Sequence, residues 1–238
     1  MPPHFSPAAL KFLRGLQRNN DRDWFNARKD VYERELKAPM LALISAVNER
    51  LGEFAPEHVR APEKGMLRIY RDIRFSKDKL PYKTHASAWW ARQGLEKTSG
   101  GGFYFEFSPA GVTIAAGVYM PEREQLLAIR RHLLEHGDAY RATLQKIEAA
   151  KRPATLAASP MKAMDGLKLT RAPKGFPAEH PAADLILQRQ WGVGSTLAAE
   201  AVLGEGLLDE IVTRFRLAAP LVALLNAPLQ AKPKAPMF

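Results

Sequence analysis

Apolar residues recur at helical spacing through the first fifty positions, at strand spacing from residue 66 to about 119, and at helical spacing again beyond Pro121. Phe5, Ser6 and Pro7 open the first helix, with Ser6 at the N-cap, Pro7 in the first turn and Phe5 stapled onto Leu10. It runs to about Arg18 with Leu10, Leu13 and Leu16 inward. Asn19 and Asn20 end it, and Asp21 caps a second helix whose apolar side is Trp24, Phe25, Val31, Tyr32 and Leu36. Pro39 is tolerated near a helix start but not inside one, so an interruption is predicted there. A third helix then carries Leu41, Ile44, Val47 and Leu51 to Gly52.

From Met66 the period becomes two. Leu67, Ile69, Ile73 and Phe75 alternate with Arg68, Tyr70, Asp72 and Arg74, which predicts a strand buried on one side, with Arg71 as an exception. A loop comes next at 77–81, then a second extended segment over 83–92 whose Trp89 and Trp90 point to opposite sheet faces, and a glycine-rich loop at 98–102. Phe103, Phe105 and Phe107 share one side of a strand. Ser108, Pro109, Ala110 and Gly111 make a turn, and 112–119 returns as the second arm of an antiparallel hairpin.

Pro121 opens a helix ending near Gly137, and another spans 138–150. Prolines punctuate the next stretch, where a short strand at 167–171, a helix over 181–190 and an extended piece at 191–195 are expected. A helix over 205–226 should kink or split at Pro220. Helices, then a mostly antiparallel sheet, then helices define an α+β class with a helical layer on one sheet face. One domain is expected over 5–229, with a loose tail at 230–238.

Composition narrows the setting. The chain has 238 residues, 46% of them apolar, enough for a sizeable core, and no cysteine, which removes disulfides and thiolate metal sites. No stretch reaches the roughly 20 apolar residues of a membrane span. The N-terminus lacks a signal-peptide layout, so the cytoplasm is the expected location. The net charge of +10 is concentrated: residues 60–97 hold ten cations and four carboxylates. A focused positive field favours an anionic partner.

That field frames the candidate chemistry. On a strand, Arg68, Tyr70, Asp72 and Arg74 would stand about 7 Å apart along one face. Two guanidinium forks and a phenol there suit a phosphate or carboxylate. Arg71, on the apolar face, needs an anion such as Glu106, Asp23 or Asp30, although a bulge at Asp72 would turn it to the ligand side. Lys79, Tyr82 and Lys83 add donors on a loop able to close over an anion. His85 is placed to move a proton, with Asp72 as its acid or base partner. His132 and His136 have the i, i+4 spacing of zinc ligands but lack the glutamate of the zinc-protease motif, so no metal or cofactor is expected. Tryptophan and tyrosine near the cations leave nucleic acid open.

Two strings carry a resemblance: Asn-x-x-x-Trp-Phe at 20–25 and Arg-Ile-Tyr-Arg-Asp-Ile-Arg-Phe-Ser-Lys-Asp-Lys-Leu-Pro-Tyr-Lys-Thr-His at 68–85. The chain resembles domain-of-unknown-function family 2461, found in bacteria and fungi, over about residues 5–220. The resemblance implies a single cytoplasmic-type domain and carries over no catalytic residue. Three functions are therefore expected from the residues. The first is binding of an anionic, phosphorylated ligand in an Arg/Lys-lined site on the sheet. The alternatives are an acid/base hydrolase or transferase working through Asp72 and His85, and a nucleic-acid-binding module.

Overall fold

The computed structural model describes residues 3–95, 100–151, 154–164 and 166–229. Its first helix, α1 (Pro7–Arg18), buries Leu10, Leu13 and Leu16 as the spacing predicts. Ser6 holds the N-cap position in an extended conformation, but its hydroxyl donates to Glu35 at 2.6 Å instead of capping the helix. Asp21 does cap α2 (Arg22–Asn26), accepting the Trp24 amide at 2.8 Å.

The predicted break at Pro39 does not occur. Short α3 (Lys29–Val31), a π-helical turn (Tyr32–Lys37) and α4 (Ala38–Leu51) succeed one another directly. The amide of Ala38 reaches back five residues to the Glu33 carbonyl, and this wider turn accommodates a proline that has no N–H to give. A single turn, α5 (Pro62–Gly65), leads to the sheet.

Six antiparallel strands form that sheet: β1 (Met66–Leu67), β2 (Ala86–Ala91), β3 (Gly102–Ser108), β4 (Gly111–Val118), β5 (Lys162–Ala163) and β6 (Trp191–Leu197), in the order β1-β2-β3-β4-β6-β5. Register puts Trp90 opposite Phe103, Phe105 opposite Ile114 and Val118 opposite Trp191, all buried on one face. The hairpin at 103–119 is as expected, closed by the Ser108–Gly111 pair. Gly117, at φ +144°, lies so close to β6 that a Cβ would overlap the Trp191 carbonyl.

Helices cover that face. α6 (Arg123–Ala149) is continuous, yet His136 leaves helical geometry at φ −117°, ψ 18°, which marks the expected division near Gly137 as a kink. α7 (Ala154–Ala158) and α8 (Ala183–Leu187) are short, so the helix expected over 181–190 is reduced to five residues. The strand expected at 167–171 is a single bridge from Lys168 to Gln188. α9 (Leu207–Asn226) lies across β4 and packs on α4 and α6. Pro220 does not split it; the proline is on the exposed side, where the carbonyl it frees can face solvent or a cavity. This is an α+β fold with helices on one sheet face.

Arg214 fastens α9 to that layer. Its side chain is fully buried and donates to Ser195 Oγ on β6 (3.1 Å), to Ser159 O (3.1 Å) and to the Glu210 carboxylate (2.5 Å). At the other end of α9, Asn226 exchanges two hydrogen bonds with the backbone of Gly101, at 2.7 and 3.1 Å. One buried cluster runs from Phe5 to Leu229. The tail at 230–238 and Thr98 and Ser99 of the glycine-rich loop lie outside the described residues.

Candidate functional site

The predicted strand over 66–75 stops after two residues. The chain then makes a hairpin-like excursion rooted where Tyr70 bridges Tyr82, with the Arg71 amide donating to Pro81 O (2.9 Å) and the Lys83 amide to Ile69 O (2.8 Å). Tyr82 is buried and stacks on Phe25 at 4.1 Å. Asn20 grips both of its backbone groups, accepting its amide at 3.0 Å and donating to its carbonyl at 2.9 Å. Tyr82 is thus the root of the loop, while Tyr70 leans on Phe25 and Tyr82 with half its surface exposed.

Beyond the root the loop is held by its own side chains. Asp72 accepts from Arg74 Nε (3.0 Å), Nη2 (2.7 Å) and the Arg74 amide (3.3 Å). Asp78 accepts from Arg71 (2.6 Å) and from the Leu80 amide (3.0 Å). Arg71 also donates to Leu80 O at 3.1 Å, and Lys79 to Ile73 O at 2.9 Å. Aspartates bonding the backbone two residues on compete with a strand ladder, which is why alternation alone did not make one here.

Several site expectations change accordingly. Arg68, Tyr70, Asp72 and Arg74 do not form a ladder along a strand face, because β1 ends at Leu67. Arg71 pairs with Asp78 rather than Glu106, Asp23 or Asp30. The Arg74 guanidinium holds the Asp72 carboxyl down at about 2, and the Leu80 amide, then Arg71, lower that of Asp78. Phe75, expected to be buried, is 95% exposed, with Arg74 lying 5.8 Å from its ring.

His85 belongs to a different group. Strand alternation carries Ser87 and Trp89 to the sheet face away from the helices, register places Ser87 opposite Glu106 and Trp89 opposite Tyr104, and His85, just ahead of β2, meets Glu106 there. Glu106 accepts the Tyr104 hydroxyl and stands 3.4 Å from His85 Nε2. His85 and Glu106 are each about a quarter exposed, so the group is screened from bulk water but reachable. Trp89 lies across Gly102, where a Cβ would come within 2.8 Å of the indole. Trp90, on the opposite side, is core and donates to Asn48 Oδ1 at 3.1 Å.

Electrostatics assign these groups complementary states. Burial pushes the His85 imidazole down; the Glu106 carboxylate opposes that shift, and Lys83 adds to it. Burial first, and the bond to Glu106 second, push the Tyr104 hydroxyl far above its ordinary range, so it stays protonated. The arrangement supplies a neutral base, a carboxylate able to steady its charged form, and a fixed phenol. Asp72 and His85 are held by different partners, so His85's carboxylate is Glu106.

The alternation of 103–107 already set Tyr104 and Glu106 on one side of a strand. Linking them to His85 needed the register between β2 and β3. His132 and His136 lie on α6 with rings 4.2 Å apart. Among the described residues no group of three or more His, Asp or Glu is placed to hold a metal ion. No helix among them is long and apolar enough to cross a membrane.

An antiparallel sheet with helices on one face and an ionisable cluster on the other defines the class. The chain belongs to the family described as conserved hypothetical protein DUF2461, whose model matches residues 8–223. That match takes in most of the helical layer, the 68–83 loop and the Tyr104–Glu106–His85 group. No curated protein and no solved structure matches the chain.

Proposed function

We propose that the chain binds a phosphate-bearing ligand against the polar face of β2 and β3 and moves a proton on it, with His85 as the base. The observation that carries this reading is the position of Glu106, shared between the Tyr104 hydroxyl and His85 Nε2. A proton held on Nε2 toward Glu106 leaves the Nδ1 lone pair to take a proton from a water or alcohol nucleophile. That oxygen bonds to phosphorus, the bond from phosphorus to the leaving oxygen breaks, and the imidazolium returns its proton to the leaving group. Lys83, whose charge acts on His85, and Arg68, Arg71, Arg74 and Lys79 in the adjoining loop supply the positive field for such an anion. Simple anion binding is the coarser form of the same reading.

The test is cleavage of p-nitrophenyl phosphate and bis-p-nitrophenyl phosphate, with p-nitrophenyl acetate as the uncharged control. Cleavage of a phosphoester that falls about 100-fold in both His85→Gln and Glu106→Gln, at unchanged Tm, is the expected result. Absence of phosphoester cleavage, or cleavage that survives both substitutions, rejects the catalytic role.

A polymeric ligand is the second reading, favoured by Phe75, an exposed aromatic ring in a basic loop with Arg74 alongside. Single-stranded nucleic acid bound there would lose affinity as salt rises, with a slope of about 0.7 per phosphate neutralised on a double-logarithmic plot. Affinity independent of salt, or unaltered in Phe75→Ala, argues against it.

A further inference from the structure

On the helix-covered side of the sheet, behind the face that carries His85 and Glu106, a cavity of about 300 Å³ opens between the 53–58 turn and α9. Phe54, Phe103, Ala219 and Val222 give it apolar walls, and Glu57 and His58 also line it. That volume is at the lower end for small-molecule sites and suits a ring-sized body.

His58 is 1% exposed, and its Nδ1 lies 3.0 Å from the Trp90 carbonyl. A carbonyl can only accept, so the proton sits on Nδ1 and Nε2 carries the lone pair. Nε2 in turn stands 3.9 Å from the Glu57 carboxylate, which is 45% exposed. Two acceptors therefore confront each other beside a cavity, and a donor placed between them would satisfy both. α9 contributes a third acceptor. Pro220, also a lining residue, has no N–H, so the Arg216 carbonyl one turn earlier lacks its helical donor.

Arg216, which also lines the cavity, is already matched. Arg216 pairs with Glu53 at 2.5 Å and lies over the Phe54 ring at 4.5 Å, and Glu53 also meets Arg50 at 3.5 Å. Burial keeps the His58 ring neutral, and Arg92 and Arg60 reinforce this against the pull of Glu57.

We propose that this cavity binds a small primary amine with an apolar, ring-sized body, its ammonium group bridging His58 Nε2 and Glu57 and its body lying against Phe54, Phe103 and Val222. An ammonium group supplies donors for both acceptors and a charge for the carboxylate, while the walls take the hydrocarbon out of water. A carboxylate-bearing ligand of the same size would meet Glu57 as a like charge, and the Arg216 guanidinium on the wall is already paired with Glu53, so such a ligand is disfavoured.

The experiment is an NMR titration of the ¹⁵N-labelled full chain with benzylamine, benzyl alcohol and benzoate. Saturable shifts at Phe54, Ala219 and Ala223 are expected with benzylamine, with affinity for benzyl alcohol at least about tenfold weaker and no shift with benzoate, the tenfold step corresponding to one lost charge-assisted contact. Glu57→Gln, a change at a half-exposed side chain, should weaken benzylamine about tenfold, and Ala219→Phe should block it. His85→Gln should leave benzylamine binding unchanged, so the outcome is independent of the phosphate-site reading. No saturable shift, equal response to benzoate, or full affinity in Glu57→Gln overturns the proposal.

Discussion

The Glu106 carboxylate on β3 lies 3.4 Å from Nε2 of His85, just ahead of β2, while accepting the hydroxyl of Tyr104 two residues away on its own strand. Because Glu106 supports the charged imidazole against burial, removing its charge must lower the His85 pKa further. The Glu106→Gln protein should show this in an NMR titration of the His85 ring. An unshifted or raised midpoint would mean that the carboxylate does not act on the ring.

The loop that bears the clustered cations is anchored by Asn20. Its side chain satisfies both backbone groups of buried Tyr82, so Asn20→Ala leaves a buried amide and carbonyl unpartnered. A loss of about 1–3 kcal/mol in urea unfolding is expected, with faster amide exchange over 69–83. Exchange that accelerates everywhere but there would place the anchor elsewhere.

Arg214 should be among the least tolerant positions. Replacement by Met keeps volume but takes the donor from the Glu210 carboxylate at the junction of α9 with β6, while Ser159 O keeps the Ser195 hydroxyl at 2.8 Å. Roughly 3–5 kcal/mol of stability should be lost, as for other buried cations removed from their partners. A change below about 1 kcal/mol would show that solvent replaces those bonds.

Stability should also fall with acid. His58, His85 and His132 all have folded-state pKa values lowered from 6.5, chiefly by burial. The unfolded chain therefore binds more protons just below pH 6.5, and unfolding free energy rises with pH through that window. Their contribution is complete above 6.5 and is lost as pH falls toward the folded-state values. Tm measured from pH 7.5 to 5 should drop, and drop less in His58→Asn, which keeps a donor for Trp90 O. Equal slopes in the two proteins would remove His58 from the account.

Features set by local chemistry could be read from the residues. Asp21 caps its helix, the three phenylalanines of β3 fill one face, and the turn from Ser108 to Gly111 closes its hairpin. Features set by competition between local and distant bonds could not. Asp72 and Asp78 each prefer their own downstream amides to a strand, so the alternation over 68–75 misled. Pro39 is absorbed by a wider helical turn and Pro220 by an exposed helix side. The basic stretch was visible as charge, but His85's partner was not. That pairing depends on how β2 and β3 slide against each other, and 86–91 and 102–108 have no two-residue turn between them to fix the slide.

The central claim is that a phosphate-bearing ligand lies against the Tyr104–Glu106–His85 face. The most direct measurement is an NMR titration of the ¹⁵N-labelled full chain with inorganic pyrophosphate at constant ionic strength. The account predicts saturable shifts in the His85 ring and in the amides of 83–87 and 104–106, lost in His85→Gln with the fold intact. Shifts confined to the loop tip at 72–80, or no saturable shift at all, would contradict it.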